Sequence, residues 1–167
     1  MKNIAEKCQE KSDERLMTWL NNADKQPDNE RAIRVAVHIN LTWLKRRLEF
    51  EAGRMQPSLP AEGVLSAFGY KVGDFGIRDQ NERLRILRLI LRSELPPIKT
   101  PKYLREWGEP HSLKREHKLK SVLLALIHSA KKRRLATKNY YVNACKAWES
   151  DLVLLEGTLR KETGISA

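Results

Sequence analysis

A dense group of cations between residues 113 and 138 is the part of this sequence best suited to binding chemistry. The stretch contains nine Lys or Arg residues and one acid, Glu116, in a chain whose formal net charge is +11. Such side chains neutralise phosphates and release condensed counterions, which gives affinity for nucleic acid, DNA or RNA, without base recognition. An acidic partner protein would be attracted by the same charges. The nine cations are Lys114, Arg115, Lys118, Lys120, Lys131, Lys132, Arg133, Arg134 and Lys138.

A second basic element lies between residues 79 and 95. If a helix over 61–68 and a helix over 79–92 formed a helix-turn-helix, arginines of the second helix would contact phosphates or base edges. However, the ten-residue connection is longer than the usual turn of three or four residues. The second helix is also apolar over much of its surface, which favours a core helix with extended arginine side chains. These arginines are Arg83, Arg85, Arg88 and Arg92.

Two arginine–histidine pairs have a spacing that suits acid–base chemistry on RNA. Some all-helical, metal-independent ribonucleases carry an arginine followed after four to six residues by a histidine, and the pairs Arg31/His38 and Arg105/His111 resemble that spacing. In such a site the arginine would stabilise negative charge on phosphorus and the histidine would transfer a proton. The spacing is easily matched by accident in an arginine-rich chain, so a hydrogen-bonded or exposed histidine is the favoured interpretation.

Other chemistries find less support in the sequence. The glycines of residues 69–76 lack the Gly-Lys-Ser/Thr ending of a phosphate loop, so we expect a shaped turn with Tyr70, Val72 and Phe75 against the core. His111, His117 and His128 are too far apart along a helix to bind one ion, and no carboxylates flank them at ligand spacing. We therefore expect no metal ion, no cofactor and no catalytic residue.

The elements that would position these residues are helices throughout. A helix over 30–54 carries an apolar stripe of the kind that packs on a core, broadened by Ala36, Ile39 and Trp43. We predict a basic helix over 113–134, capped by Ser112, and a last helix over 138–162 that packs antiparallel to it. The stripe of the first helix is Ile33, Val37, Leu41, Leu44 and Leu48, and the last helix has a coiled-coil-like seam of Tyr141, Cys145, Trp148, Leu152, Leu155 and Leu159.

Shorter helices are expected over 4–22, 61–68, 79–95 and 102–107, the last of them starting at Thr100-Pro101. The fold class is therefore all-α: a helical bundle with a long N-terminal helix, a compact helical middle and a C-terminal antiparallel helix pair. With 167 residues the chain fits a single domain, 1–167, or a division into N-terminal helices, 1–56, and a helical core, 57–167.

The cysteine content of the chain suits a reducing compartment. Its two cysteines, Cys8 and Cys145, are far apart and form no CxxC motif. The polar N-terminus does not resemble a signal peptide, and no apolar run approaches the length of a membrane span, so we expect a cytoplasmic protein with no membrane partner.

Together these features predict a non-enzymatic nucleic-acid-binding protein of a bacterial or phage type. The predicted phosphate contacts are Lys114, Lys118, Lys131, Lys132, Arg133 and Arg134, with Arg85, Arg88 and Arg92 as second-tier contacts. The first alternative is a helical adaptor or homodimer that uses the last helix's seam, or the basic face against an acidic protein. The second alternative is the metal-independent ribonuclease.

Overall fold

The computed structural model describes residues 3–57, 59, 62–73, 76–136 and 141–162, with side chains for all of these except 134–136 and 158–162. This part of the chain is all-α, as predicted, and contains no strand. Its helices are α1 (Ile4–Gln9), α2 (Asp13–Asp24), α3 (Glu30–Glu51), α4 (Val64–Ala67), α5 (Gln80–Arg92), α6 (Pro101–Trp107), α7 (Leu113–Ala136) and α8 (Val142–Glu162). Within it, no helix is both long and apolar enough to cross a membrane.

Polar N-cap side chains set where several of the helices begin. The Asn29 side chain accepts hydrogen bonds from the backbone N–H groups of the first turn of α3. Thr100 accepts from Tyr103 N at 3.2 Å at the start of α6, and Ser112 accepts from Arg115 N at 3.2 Å at the start of α7. Each cap satisfies a backbone donor that has no partner within its helix. The predicted starts at Thr100-Pro101 and Ser112 are confirmed.

The core is built around α5, which the sequence favoured as a core helix. Leu87 and Ile90 are completely buried, and five of the other eleven α5 residues, Arg83, Leu84, Ile86, Leu89 and Leu91, are buried as well. Trp43 of α3 meets Phe68 edge to face, with ring centroids 6.1 Å apart, and Trp107 of α6 is also buried in this core. The burial of its apolar face favours the core-helix interpretation of α5 over a recognition helix that enters a DNA groove.

The apolar stripe predicted to pack on the core is on the opposite side of α3. The helix buries Ile39, Thr42 and Trp43, whereas Ile33, Val37, Leu41 and Leu48 are exposed. Regular spacing shows which residues share a helix face but not which face another element covers. Here α3 packs on α1 and α2 through the side that carries Trp43, because that large ring fills the space between the helices.

The two C-terminal helices pack against each other along the predicted seam. Ile127 and Ala130 of α7 form a small apolar cluster with Cys145 of α8, and Tyr141, Trp148 and Leu152 pack on it. Lys131 lies 2.7 Å from Glu149 and Lys120 lies 3.9 Å from Glu156, so the chain directions of α7 and α8 are opposite. The seam is therefore covered by α7 of the same chain. The side chain of its last predicted member, Leu159, lies outside the described residues.

Candidate nucleic-acid interface

The first predicted contacts lie where α6 meets the start of α7. Lys118 forms an ion pair of 2.8 Å with Glu106 of α6. The hydrogen bond from Lys118, aided by the charges of Lys118, Lys102 and Lys114, lowers the pKa of Glu106 below its usual value. Lys102 and Arg105 of α6 are exposed, as are the acids Glu106 and Glu109.

The second group of predicted contacts lies at the end of α7. Lys131 pairs with Glu149 of α8 at 2.7 Å, and this contact raises the pKa of the lysine and lowers that of the glutamate. Lys132 is exposed. The guanidinium of Arg133 lies 5.7 Å from the centre of the Tyr141 ring. The side chain of Arg134, and the whole of Lys138, lie outside the described residues.

Lys114 lies near the start of α7 and Lys132 lies near its end. They are eighteen positions apart, which is five full helical turns, so both lie on the same side of α7 at a separation of about 27 Å. Both are exposed, and within the described residues neither has a carboxylate inside ion-pair distance. The fully exposed residues on this side between them are His117, Ser121, Leu124, Ala125 and His128, and the partly exposed Lys118, which pairs with Glu106, lies one turn from Lys114.

Arg115, which the sequence counts within the cationic cluster, is an internal residue. It is completely buried, and its guanidinium donates hydrogen bonds to the carbonyl groups of Ile90, Ser93, Trp107 and Gly108. Burial lowers the pKa of Arg115 to about 10 because the charged form is poorly solvated there. This residue therefore joins α5, α6 and α7 and adds nothing to the exposed charge.

The arginines of α5 are likewise engaged within the fold. Arg85 contacts Asp24 at 3.0 Å and Glu82 at 2.8 Å, and it also donates to the carbonyl and side-chain oxygens of Asn21. The hydrogen bond with Glu82 raises the pKa of Arg85 and lowers that of Glu82. Arg83 is buried against Asp151 of α8. Arg92 is exposed, whereas Arg88 is half-buried.

Neither of the two arginine–histidine pairs is joined by a direct contact among the described residues. No hydrogen bond or ion pair joins Arg31 to His38, or Arg105 to His111, in the described part of the chain. His111 has a positive φ of 57°, and its backbone N–H donates to the carbonyl of Leu91 at 2.8 Å. Among the described residues, no three His, Cys, Asp or Glu side chains form a cluster that would bind a metal ion.

Two exposed cations of α6, Lys102 and Arg105, are absent from the predicted phosphate contacts. The sequence signal that could have identified them is the short helix between Thr100 and Gly108, in which the two exposed cations are three positions apart. Comparison with known proteins adds no further guide: no family model, curated protein or solved structure matches the chain.

Proposed function

We propose that this protein binds nucleic acid, without catalysis, through phosphate contacts made by the exposed cations of α6 and α7. The principal contacts are Lys114 and Lys132, with the exposed Lys102 and Arg105 of α6 as additional contacts. The observation that carries the proposal is the alignment of Lys114 and Lys132 on one side of α7, both exposed and about 27 Å apart.

The surface between these lysines favours a phosphate backbone over an acidic protein. Protein–protein interfaces bury an apolar centre within a polar rim. On α7 the centre consists of His117, Ser121, Ala125 and His128 beside one large apolar side chain, Leu124, and the exposed lysines lie at the two ends. A nucleic acid supplies phosphates continuously over such a distance, about one charge per 1.7 Å of duplex.

The other cations predicted from the sequence take lesser parts in this proposal. Lys118 and Lys131 already have carboxylate partners, so they would contribute only by exchanging one anion for another. Arg85 holds Asp24 and Glu82 and is left out of the contact set. Arg88, Arg92, Arg133 and Arg134 remain candidates for secondary contacts.

The salt dependence of binding tests the proposal. Affinity for a labelled 20-base-pair duplex and for a single-stranded RNA is measured by fluorescence anisotropy between 50 and 250 mM KCl. Removing one cation that neutralises a phosphate reduces the slope of log K against log salt by about 0.9 on duplex DNA, so Lys114→Gln/Lys132→Gln should reduce it by up to about 1.8.

A charge-matched control separates this surface from net charge alone. Lys7→Gln/Arg15→Gln removes two exposed cations from α1 and α2, which pack on α3. This control should keep the slope of the parent protein. Equal slopes for all three proteins, or equal reductions in both double variants, would overturn the proposed interface.

A further inference from the structure

Four large aliphatic side chains lie exposed along one side of α3. Ile33 and Val37 are each 50% exposed, Leu41 is 55% exposed and Leu48 is 56% exposed. Leu44 lies between the last two and is half-buried. We refer to these five residues as the α3 stripe. Isolated exposed leucines are common on protein surfaces, whereas large contiguous apolar patches mark interaction sites.

The spacing of the α3 stripe fits a partner helix. From Val37 onward its members follow one another at intervals of four, three and four residues, which is the repeat of a coiled-coil seam. From Ile33 to Leu48 the stripe is about 22 Å long, or some four helical turns. A second helix of about fifteen residues would cover it with apolar anchors at the same intervals.

A groove runs beside the N-terminal half of the α3 stripe. It has a volume of about 220 Å³ and lies between α3, the end of α2 and α5. Its apolar lining includes Leu20, Ala23, Ala36 and Leu89, together with Ile33 and Val37 of the stripe. A large side chain of a docked helix would fit into this groove.

The charges around the α3 stripe define the chemistry of the partner. Between Glu30 and Glu49, α3 contains five Lys or Arg residues and no acid. Two of the five are held inside the fold, Arg46 by Asp13 and Arg47 by Glu94, and the exposed ones are Arg31, Arg34 and Lys45.

Two of these exposed cations lie along one edge of the stripe. Arg34 and Lys45 directly follow the stripe residues Ile33 and Leu44 and so lie about 100° round the helix from them. The Arg34 side chain also pairs with Glu30 one turn earlier, an exposed contact that a partner's carboxylate can replace.

We propose that the α3 stripe docks an amphipathic helix of a partner protein, and that acidic residues border the apolar face of this helix. A second copy of the chain fits less well, because pairing two α3 helices would bring like charges together in a protein of net charge +11. The proposal concerns a different surface from α6 and α7 and does not depend on nucleic-acid binding.

Two designed peptides test the inference directly. Both are fluorescein-labelled helices of 21 residues with leucines at the coiled-coil spacing, and their apolar faces are bordered by glutamates in one and by lysines in the other. The full-length protein should bind the glutamate peptide at least tenfold more tightly than the lysine peptide at 150 mM salt.

Substitutions then distinguish binding at the α3 stripe from non-specific hydrophobic binding. Val37→Gln/Leu41→Gln should reduce binding of the glutamate peptide at least tenfold and leave the circular dichroism spectrum and melting temperature almost unchanged, because both side chains are already half exposed. The matched control, Leu113→Gln/Leu124→Gln, alters two α7 leucines that are 68% and 54% exposed and should bind like the parent protein. Arg34→Glu/Lys45→Glu should reverse the preference toward the lysine peptide.

Three results would overturn the proposal. The first is equal affinity for the two peptides, and the second is undiminished binding by Val37→Gln/Leu41→Gln. The third is a dimer in sedimentation equilibrium that these same substitutions dissociate, since the α3 stripe would then be covered by a second copy.

Discussion

Arg83 of α5 and Asp151 of α8 form a two-pronged ion pair inside the protein. The Nε–H of Arg83 donates to Oδ2 of Asp151 at 2.7 Å, and an Nη2–H donates to Oδ1 at 2.9 Å. The Tyr70 hydroxyl donates to the same carboxylate at 2.8 Å. Through Nη1, Arg83 also donates to the carbonyls of Ile77 and Arg78. One carboxylate on the last helix therefore fixes the core helix and the segment that precedes it.

Loss of this carboxylate's charge should be costly. Asp151→Asn leaves the buried Arg83 guanidinium without a counter-charge, and breaking a buried pair in this way costs about 3–5 kcal/mol. We expect the urea midpoint to fall accordingly, measured by tryptophan fluorescence. Glu149→Gln, which breaks an exposed pair with Lys131, serves as the control and should change the midpoint little. Equal effects of the two substitutions would contradict the central position of Asp151.

Stability at alkaline pH should depend on Tyr70. Burial, the negative charge of Asp151 and the hydrogen bond to it raise the pKa of this hydroxyl far above its usual value. In the unfolded chain a tyrosine ionises near pH 10. The contribution of Tyr70 is therefore fully present below about pH 10 and is lost as the pH rises above it.

Tyr70→Phe isolates this contribution. At pH 8 the variant should be less stable by about 1.5–3 kcal/mol, since a hydrogen bond to a charged group is removed. The difference in unfolding free energy between parent and variant should then shrink between pH 9.5 and 11. A difference that stays constant over this range would show that Tyr70 ionises normally in the folded protein.

Arg115 should tolerate no substitution, even by lysine. Its planar guanidinium satisfies four carbonyl groups that belong to α5, to α6 and to the residues that follow them, and a lysine ammonium has neither the fork nor the reach to do so. Each buried carbonyl left without a donor costs about 1–3 kcal/mol. We expect Arg115→Lys to lower the thermal midpoint sharply in calorimetry. In a variant that remains folded, the salt slope of nucleic-acid binding should equal that of the parent, because this charge is not exposed.

Two glycines should respond to alanine in opposite directions. Gly108 ends α6 with φ 71° and ψ −174°, a conformation that is almost restricted to glycine, and an added Cβ would meet the Lys114 side chain at 3.0 Å. Gly108→Ala should therefore cost about 1–3 kcal/mol. Gly157 lies within α8 with nothing within 4 Å of an added Cβ, so Gly157→Ala should stabilise by about 0.5–1 kcal/mol. Chemical denaturation of both variants measures the two signs.

Substitution of Arg85 tests which basic residues stabilise the fold and which bind nucleic acid. Because it holds Asp24, Glu82 and Asn21, Arg85→Gln should lower the urea midpoint and leave the salt slope of nucleic-acid binding unchanged. Lys132→Gln should do the reverse. A reduced slope in Arg85→Gln at unchanged stability would return this arginine to the set of phosphate contacts.

Local signals allowed the helices themselves to be predicted well. Caps such as Asn29, Thr100 and Ser112 act on backbone groups within three residues, so their effect can be derived from the sequence alone. The core position of α5 was predictable because its apolar residues extend around most of the helix. Which face of α3 is buried, the one with Trp43 or the one with Leu41, depends on the other helices that pack against it. The spacing of residues within one helix does not encode this choice.

The charge of the candidate interface was less predictable for a related reason. Lys114 and Arg115 are adjacent in the sequence, yet they point in directions about 100° apart on the helix. Lys114 is therefore exposed to solvent, whereas Arg115 is buried and donates to the carbonyl of Gly108. Likewise, Glu106 and Glu149 approach Lys118 and Lys131 only once α6, α7 and α8 have packed. Counting cations along a segment gives the total charge, but tertiary contacts decide how much of it faces outward.

The ion pair between α5 and α8 also has a consequence for synthesis of the chain on the ribosome. Arg83 is translated 68 residues before its counter-ion, and the intervening residues include all of α6 and α7. Until Asp151 has left the exit tunnel, a nascent chain that collapsed around α5 would enclose an uncompensated charge. Truncation upstream of that codon should accordingly yield a product that proteases remove.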